Sequence, residues 1–72
     1  MDIHVHDSVA LLEDSPTTHY ATGKPVVLHQ GEVGTVIIPY KEGTFEVKFE
    51  GSDGRAFAIL LVTADRLKVL RN

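Results

Sequence analysis

His4 and His6 stand two residues apart, and on an extended chain that spacing turns both imidazoles to one side, as half of a zinc site. Asp2, His19 or His29 would have to supply the remaining ligands, and nothing in the spacing brings them there. Zinc sites normally take three or four protein ligands, so the sequence predicts neither a metal nor any other cofactor. Ser8, Ser15 and Ser52 lie in no strand-to-helix elbow that would expose and activate a hydroxyl, and no triad can be assembled around them. Glu13-Asp14 reads as a solvated strand end rather than an acid/base pair. Gly31-x-x-Gly34 lacks the third glycine, the lysine and the following helix that a phosphate-binding loop requires. Tyr20 and Tyr40 are the candidates for a contact groove, although grooves of that kind are lined by several aromatics and this chain has no tryptophan. No catalytic residue is assigned.

The elements that would position these residues are mostly strands. Asp7 to Leu12 is a short apolar run stopped by Glu13-Asp14-Ser15-Pro16. Thr17 to Gln30 carries Gly23 and Pro25 and reads as a long loop that dips once into the core at Val26-Val27-Leu28. Val33 to Tyr40 is β-branched and apolar, and Lys41-Glu42-Gly43 turns it into Thr44 to Glu50. That run alternates without a break, with Phe45, Val47 and Phe49 facing the core and Glu46, Lys48 and Glu50 facing water. Gly51-Ser52-Asp53-Gly54 is a second turn, followed by a strand from Arg55 to Val62. Thr63 to Arg66 has room for one 3-10 turn before a closing strand at Leu67 to Leu70. Five short strands, a long first loop and one 3-10 turn before the last strand describe an all-β, SH3-like, five-stranded antiparallel small barrel. Residues 1–72 make a single domain with its core in 7–70.

With 72 residues and no cysteine, the chain has neither disulfides nor thiolate metal sites to support a small core, which leaves association as the natural extra source of burial. Ten acidic against seven basic residues give a net charge of −3, which argues against nucleic acid as the main partner. The apolar stretch Ala56 to Val62 is far too short for a membrane span, and the start has no signal-peptide pattern, so a cytoplasmic protein is expected.

Five segments carry a more specific likeness: Asp7-x-Val9-x-Leu11-Leu12-Glu13-Asp14, Gly31-x-Val33-Gly34-Thr35-Val36, Phe45-Glu46-Val47-x-Phe49, Asp53-Gly54-Arg55 and Ala64-Asp65-x-Leu67. Over Asp7 to Leu70 they resemble a family of short bacterial SH3-like barrels catalogued only as a domain of unknown function. The resemblance implies a fold and no activity, since the shared residues are turn and core residues. The Gly-x-x-Gly-Thr-Val stretch also resembles an element of RNA-contacting ribosomal barrels, yet Glu32 sits in it and no Lys or Arg lies between Lys24 and Lys41. The layout of Phe57 to Asn72 is similar to that of plasmid-borne dihydrofolate reductases, which are homotetrameric barrels with glutamine and tyrosine on the catalytic strand. Here the corresponding positions, Ala58 to Val62, are purely apolar.

The strongest functional signal is that both faces of Ala56 to Val62 are apolar, Phe57, Ile59 and Leu61 on one side and Ala56, Ala58, Leu60 and Val62 on the other. A small barrel has one interior, so something must cover the second face. The sequence predicts a non-catalytic interaction module that forms a homo-oligomer through Ile37, Ile38, Leu60 and Val62 and meets a further protein partner. An accessory nucleic-acid-binding barrel is the first alternative, and a small homotetrameric barrel enzyme of the dihydrofolate reductase type is the second. If the chain is instead monomeric, Val26-Val27-Leu28 should fold back over the outer face.

Overall fold

A computed structural model describes residues 3–70. Seven strands follow one another: β1 (Ser8–Leu11), β2 (Ser15–Thr18), β3 (Pro25–Leu28), β4 (Val33–Lys41), β5 (Thr44–Glu50), β6 (Ala56–Thr63) and β7 (Leu67–Leu70). A 3-10 turn at Ala64–Arg66 joins the last two. Strands β6-β5-β4-β1-β7 form one five-stranded sheet in that order, and β2 pairs with β3 in a separate hairpin. Every pairing is antiparallel. The chain is all-β, but the five-stranded sheet is not closed into a barrel, because β6 and β7 remain its two edges.

The alternation of β5 organises the core. Val47 and Phe49 are fully buried, and their partners across the ladders, Val36 on β4 and Ala58 on β6, are buried with them. Val9 and Leu11 from β1, Leu28 from β3, Val62 from β6 and Leu67 from β7 complete the interior. Gly34 lets the backbone of β4 approach β5 more closely than any side chain permits. A Cβ there would lie 2.7 Å from Val47 Cγ1, 2.8 Å from Phe49 Cε2 and 2.9 Å from the Lys48 carbonyl oxygen. The turns that set the meander are glycine turns as expected, with φ of 74° at Gly43 and 78° at Gly54.

Thr17 to Gln30 is not loop throughout. Ser15 pairs with Leu28 and Thr18 with Pro25, and the two-stranded ladder turns Ser15 and Leu28 inward. Pro16 and Pro25 read as breakers, yet in a two-stranded hairpin each strand has a free edge toward which a proline nitrogen can point, and Pro25 opens its strand. The expected dip into the core is made by Leu28, while Val27 stays half exposed.

The two faces of β6 are the reverse of the expected assignment. Val62 is fully buried and Leu60 packs against the core, so neither faces outward. Residues opposite each other in a sheet share a face, and Leu60 pairs with Val47 while Val62 pairs with Phe45. Ile59 and Leu61 take the outer face instead, 42% and 50% exposed. Ile37 and Ile38 are also separated, because a bulge at Ile37 interrupts the β4–β5 register. Ile38 pairs with Glu46 and is 49% exposed, whereas Ile37 is partly buried.

A candidate interaction surface

The outer side of β4, β5 and β6 carries a continuous pattern. One cross-strand row reads Ile38, Glu46, Leu61, and the next reads Thr35, Lys48, Ile59. Three large aliphatic side chains are thus left about half exposed around one acid and one base. The β2–β3 hairpin does not fold over them. It packs on the other side of the sheet, where Leu28 enters the core and Ser15 is buried. Periodicity over Ala56 to Val62 alone does not single out Ile59 and Leu61, since the one polar residue of β6, the exposed Thr63 that shares their side, lies just beyond that run. The register with β5 marks that side.

β6 is also an edge. The Tyr20 N–H donates to the Phe57 carbonyl at 2.9 Å, so that carbonyl points off the sheet toward the hairpin turn. Across a trans peptide the next N–H points the opposite way, which directs Ala58 toward β5. Alternation then sends Leu60 and Val62 to β5 and leaves the N–H and C=O groups of Ile59 and Leu61 facing outward along the edge. Among the described residues β6 pairs with β5 alone, and no backbone hydrogen bond outside the ladders reaches these four groups.

The candidate groove residues are not brought together. Tyr20 lies at the hairpin turn beside Phe57, at the start of β6. Tyr40 lies at a second bulge near Gly43, where the Ala64 N–H donates to the Gly43 carbonyl at the far end of β6. Tyr40 meets only the Lys41 ammonium among ring contacts of the described residues, 5.9 Å from its centroid. Tyr20 borders an open cleft of about 640 Å³ with His19, Gly51, Asp53, Arg55 and Phe57. Its ring stacks on His19 at 6.1 Å, and His19 Nδ1 accepts from the Ala21 N–H at 3.1 Å. That imidazole is engaged in holding the hairpin turn.

The remaining polar candidates are tied into local structure. His4 and His6 do not lie on extended chain: residues 4–7 form a turn in which His6 has φ of 75° and the Asp7 N–H donates to the His4 carbonyl. His4 Nδ1 lies 3.8 Å from Asp7 and His29 Nδ1 3.9 Å from Asp14. Among the described residues no three His, Asp or Glu side chains converge as metal ligands, and Asp2 falls outside them. Glu13 and Asp14 diverge. Glu13 Oε1 sits 2.7 Å from Arg66 Nε, while Asp14 Oδ1 accepts from the Gln30 N–H at 2.7 Å. Arg66 Nη2 donates to buried Ser15 Oγ at 2.8 Å, which joins the 3-10 turn to the base of the hairpin. No described helix is long and apolar enough to cross a membrane.

No curated protein and no solved structure matches the chain. Residues 5–69 match the family model described as Domain of unknown function (DUF4926), and with nearly its whole length so covered the chain belongs to that family.

Proposed function

We propose that this domain is a cytoplasmic, non-catalytic interaction module that self-associates through the outer side of β4–β6. The observation that carries this reading is the half-exposed set Ile38, Ile59 and Leu61, adjacent in register and left uncovered by the hairpin. Each has about half its surface still to bury, worth about 1 kcal/mol apiece, which matters in a chain too short to stabilise itself generously. The polar groups that could do chemistry support a non-catalytic role, because Glu13, Asp14, Ser15 and His19 are all engaged in turns and anchors.

The topology supports an SH3-like arrangement within that proposal. A hairpin inserted after β1, the β4–β5–β6 meander, a 3-10 turn and the return of β7 to β1 follow the order of such barrels, opened here along the β6 edge. Sedimentation equilibrium over a micromolar concentration series tests the function. A mass at least twice that of the chain is expected, and a monomer throughout would remove the proposal.

A further inference from the structure

The exposed aliphatic face and the edge that is unpaired among the described residues belong to the same two residues, Ile59 and Leu61. We propose that β6 of one chain pairs antiparallel with β6 of a second copy about a two-fold axis at Leu60, fusing two five-stranded sheets into one continuous sheet. The inference rests on the self-association proposed above and specifies how the β6 part of that surface, Ile59 and Leu61, meets its copy; Ile38 on β4 lies two strands in from this seam.

The outward N–H and C=O groups of Ile59 and Leu61 restrict the register to those that set outward-facing residues opposite one another. A two-fold at Leu60 places Ile59 opposite the second copy's Leu61 and Leu61 opposite its Ile59, each an exchange of two backbone hydrogen bonds. The same operation lays the aliphatic side chains against one another on the outer face. It also orders the charges. Lys48 is the neighbour of Ile59 and Glu46 the neighbour of Leu61, so each row across the joined sheet runs Lys, Ile, Leu, Glu. A two-fold through Ile59 instead would put Lys48 at both ends of one row. At about 14 Å across three strand spacings these charges are screened, so they select the register more than they hold the pair.

β6 also lacks what a strand uses to stay unpaired. From Ala56 to Thr63 it has no charged residue and no proline, and it is eight residues long. A second copy suits this edge better than an unrelated strand because the free segment is short and self-complementary. The Tyr20 bond to Phe57 occupies the edge at its beginning, which confines pairing to the stretch beyond Ala58 and closes the assembly at two chains.

Amide hydrogen exchange on the full chain, read at high and at dilute protein concentration, separates the possibilities. The Leu60 N–H, bonded to β5, should be protected at both concentrations. The Ile59 and Leu61 N–H groups should be protected only where sedimentation reports a dimer, and should slow by at least tenfold there. A dimer whose Ile59 and Leu61 amides exchange at the dilute rate would overturn edge pairing and leave self-association standing. A monomer at all concentrations would remove both, as would protection of these amides only on adding a different protein. Leu61→Pro gives a second reading, since its N–H makes no bond to β5 within one chain. That variant should melt cooperatively as a monomer, and a Leu61→Pro dimer would refute the proposal. Should it fail to fold, the wild-type exchange measurement decides alone.

Discussion

β6 and β7 are the two edges of one sheet, and they are finished in different ways. β7 has four residues, presents Lys68 to water, and follows a turn fastened through Arg66 to Glu13 and Ser15. β6 is twice as long, uncharged, and offers Ile59 and Leu61 to solvent. Shortness and charge keep an edge single, so the contrast shows one edge built to end the sheet and one left able to continue it.

The largest effect should come from confusing the two faces of β6 at neighbouring positions. Val62→Asp places a carboxylate where no water reaches, costing about 4 kcal/mol or more, which approaches the whole stability of a small domain. Its circular dichroism melt should lose cooperativity at ambient temperature. Leu61→Asp puts the same group on the outer face, and there the melt should survive while the sedimenting mass falls to that of one chain. Similar damage from both would mean that β6 has no free outer face. Gly34→Ala comes next, at about 3 kcal/mol, because a methyl group cannot fit against Val47, Phe49 and the Lys48 carbonyl without moving β4 off β5. A drop in melting temperature of roughly 12 °C or more is expected on the usual scaling for domains of this size.

The edges themselves can be exchanged. Leu61→Lys gives β6 the device that β7 carries and should weaken self-association at least tenfold at low salt, by charge repulsion and lost aliphatic contact. Lys68→Ile does the reverse to β7, and the sedimentation profile should then show species beyond a dimer. If Lys68→Ile leaves the distribution unchanged, shortness alone is enough to keep β7 single.

Much of this was legible in the residues because some segments alternate with polar partners and others do not. Thr44 to Glu50 fixes its own faces, and its boundaries coincide with β5. Gly43 and Gly54 mark their turns, and the 3-10 turn before Leu67 falls where only three residues separate two strands. β6 was legible as a strand but not in its orientation, since Ala56 to Val62 is apolar throughout and the exposed Thr63, which shares a side with Ile59 and Leu61, falls outside that run. The ladder with β5 fixes the faces independently. The β2–β3 hairpin escaped because prolines signal loops, whereas two strands with free edges accommodate them. Tyr20 and Tyr40 could not be placed relative to each other from sequence, as bulges at Ile37 and Tyr40 shift the register between them and the rest of β4. The His4/His6 pair presumed extended chain, and a left-handed residue at His6 turned it into a local bend.

The smallest effect tests how β7 is anchored. Glu13 is 60% exposed, so its pairing with Arg66 is screened, and Glu13→Gln should cost no more than about 0.5 kcal/mol. Arg66→Ala removes the same ion pair and also the donor to Ser15 Oγ, a hydroxyl on a residue only 1% exposed, so about 1 to 2 kcal/mol is expected. Adding Ser15→Ala to Arg66→Ala should then recover part of that loss, because Arg66→Ala leaves the buried Ser15 Oγ with only its long 3.5 Å donation to the Glu13 carbonyl, and removing it relieves the desolvation cost of its unfilled acceptor side. Urea denaturation of the three variants measures the differences directly. Equal midpoints for Glu13→Gln and Arg66→Ala would show that Ser15 finds another partner, and that β7 is held at this end by its ladder with β1 alone.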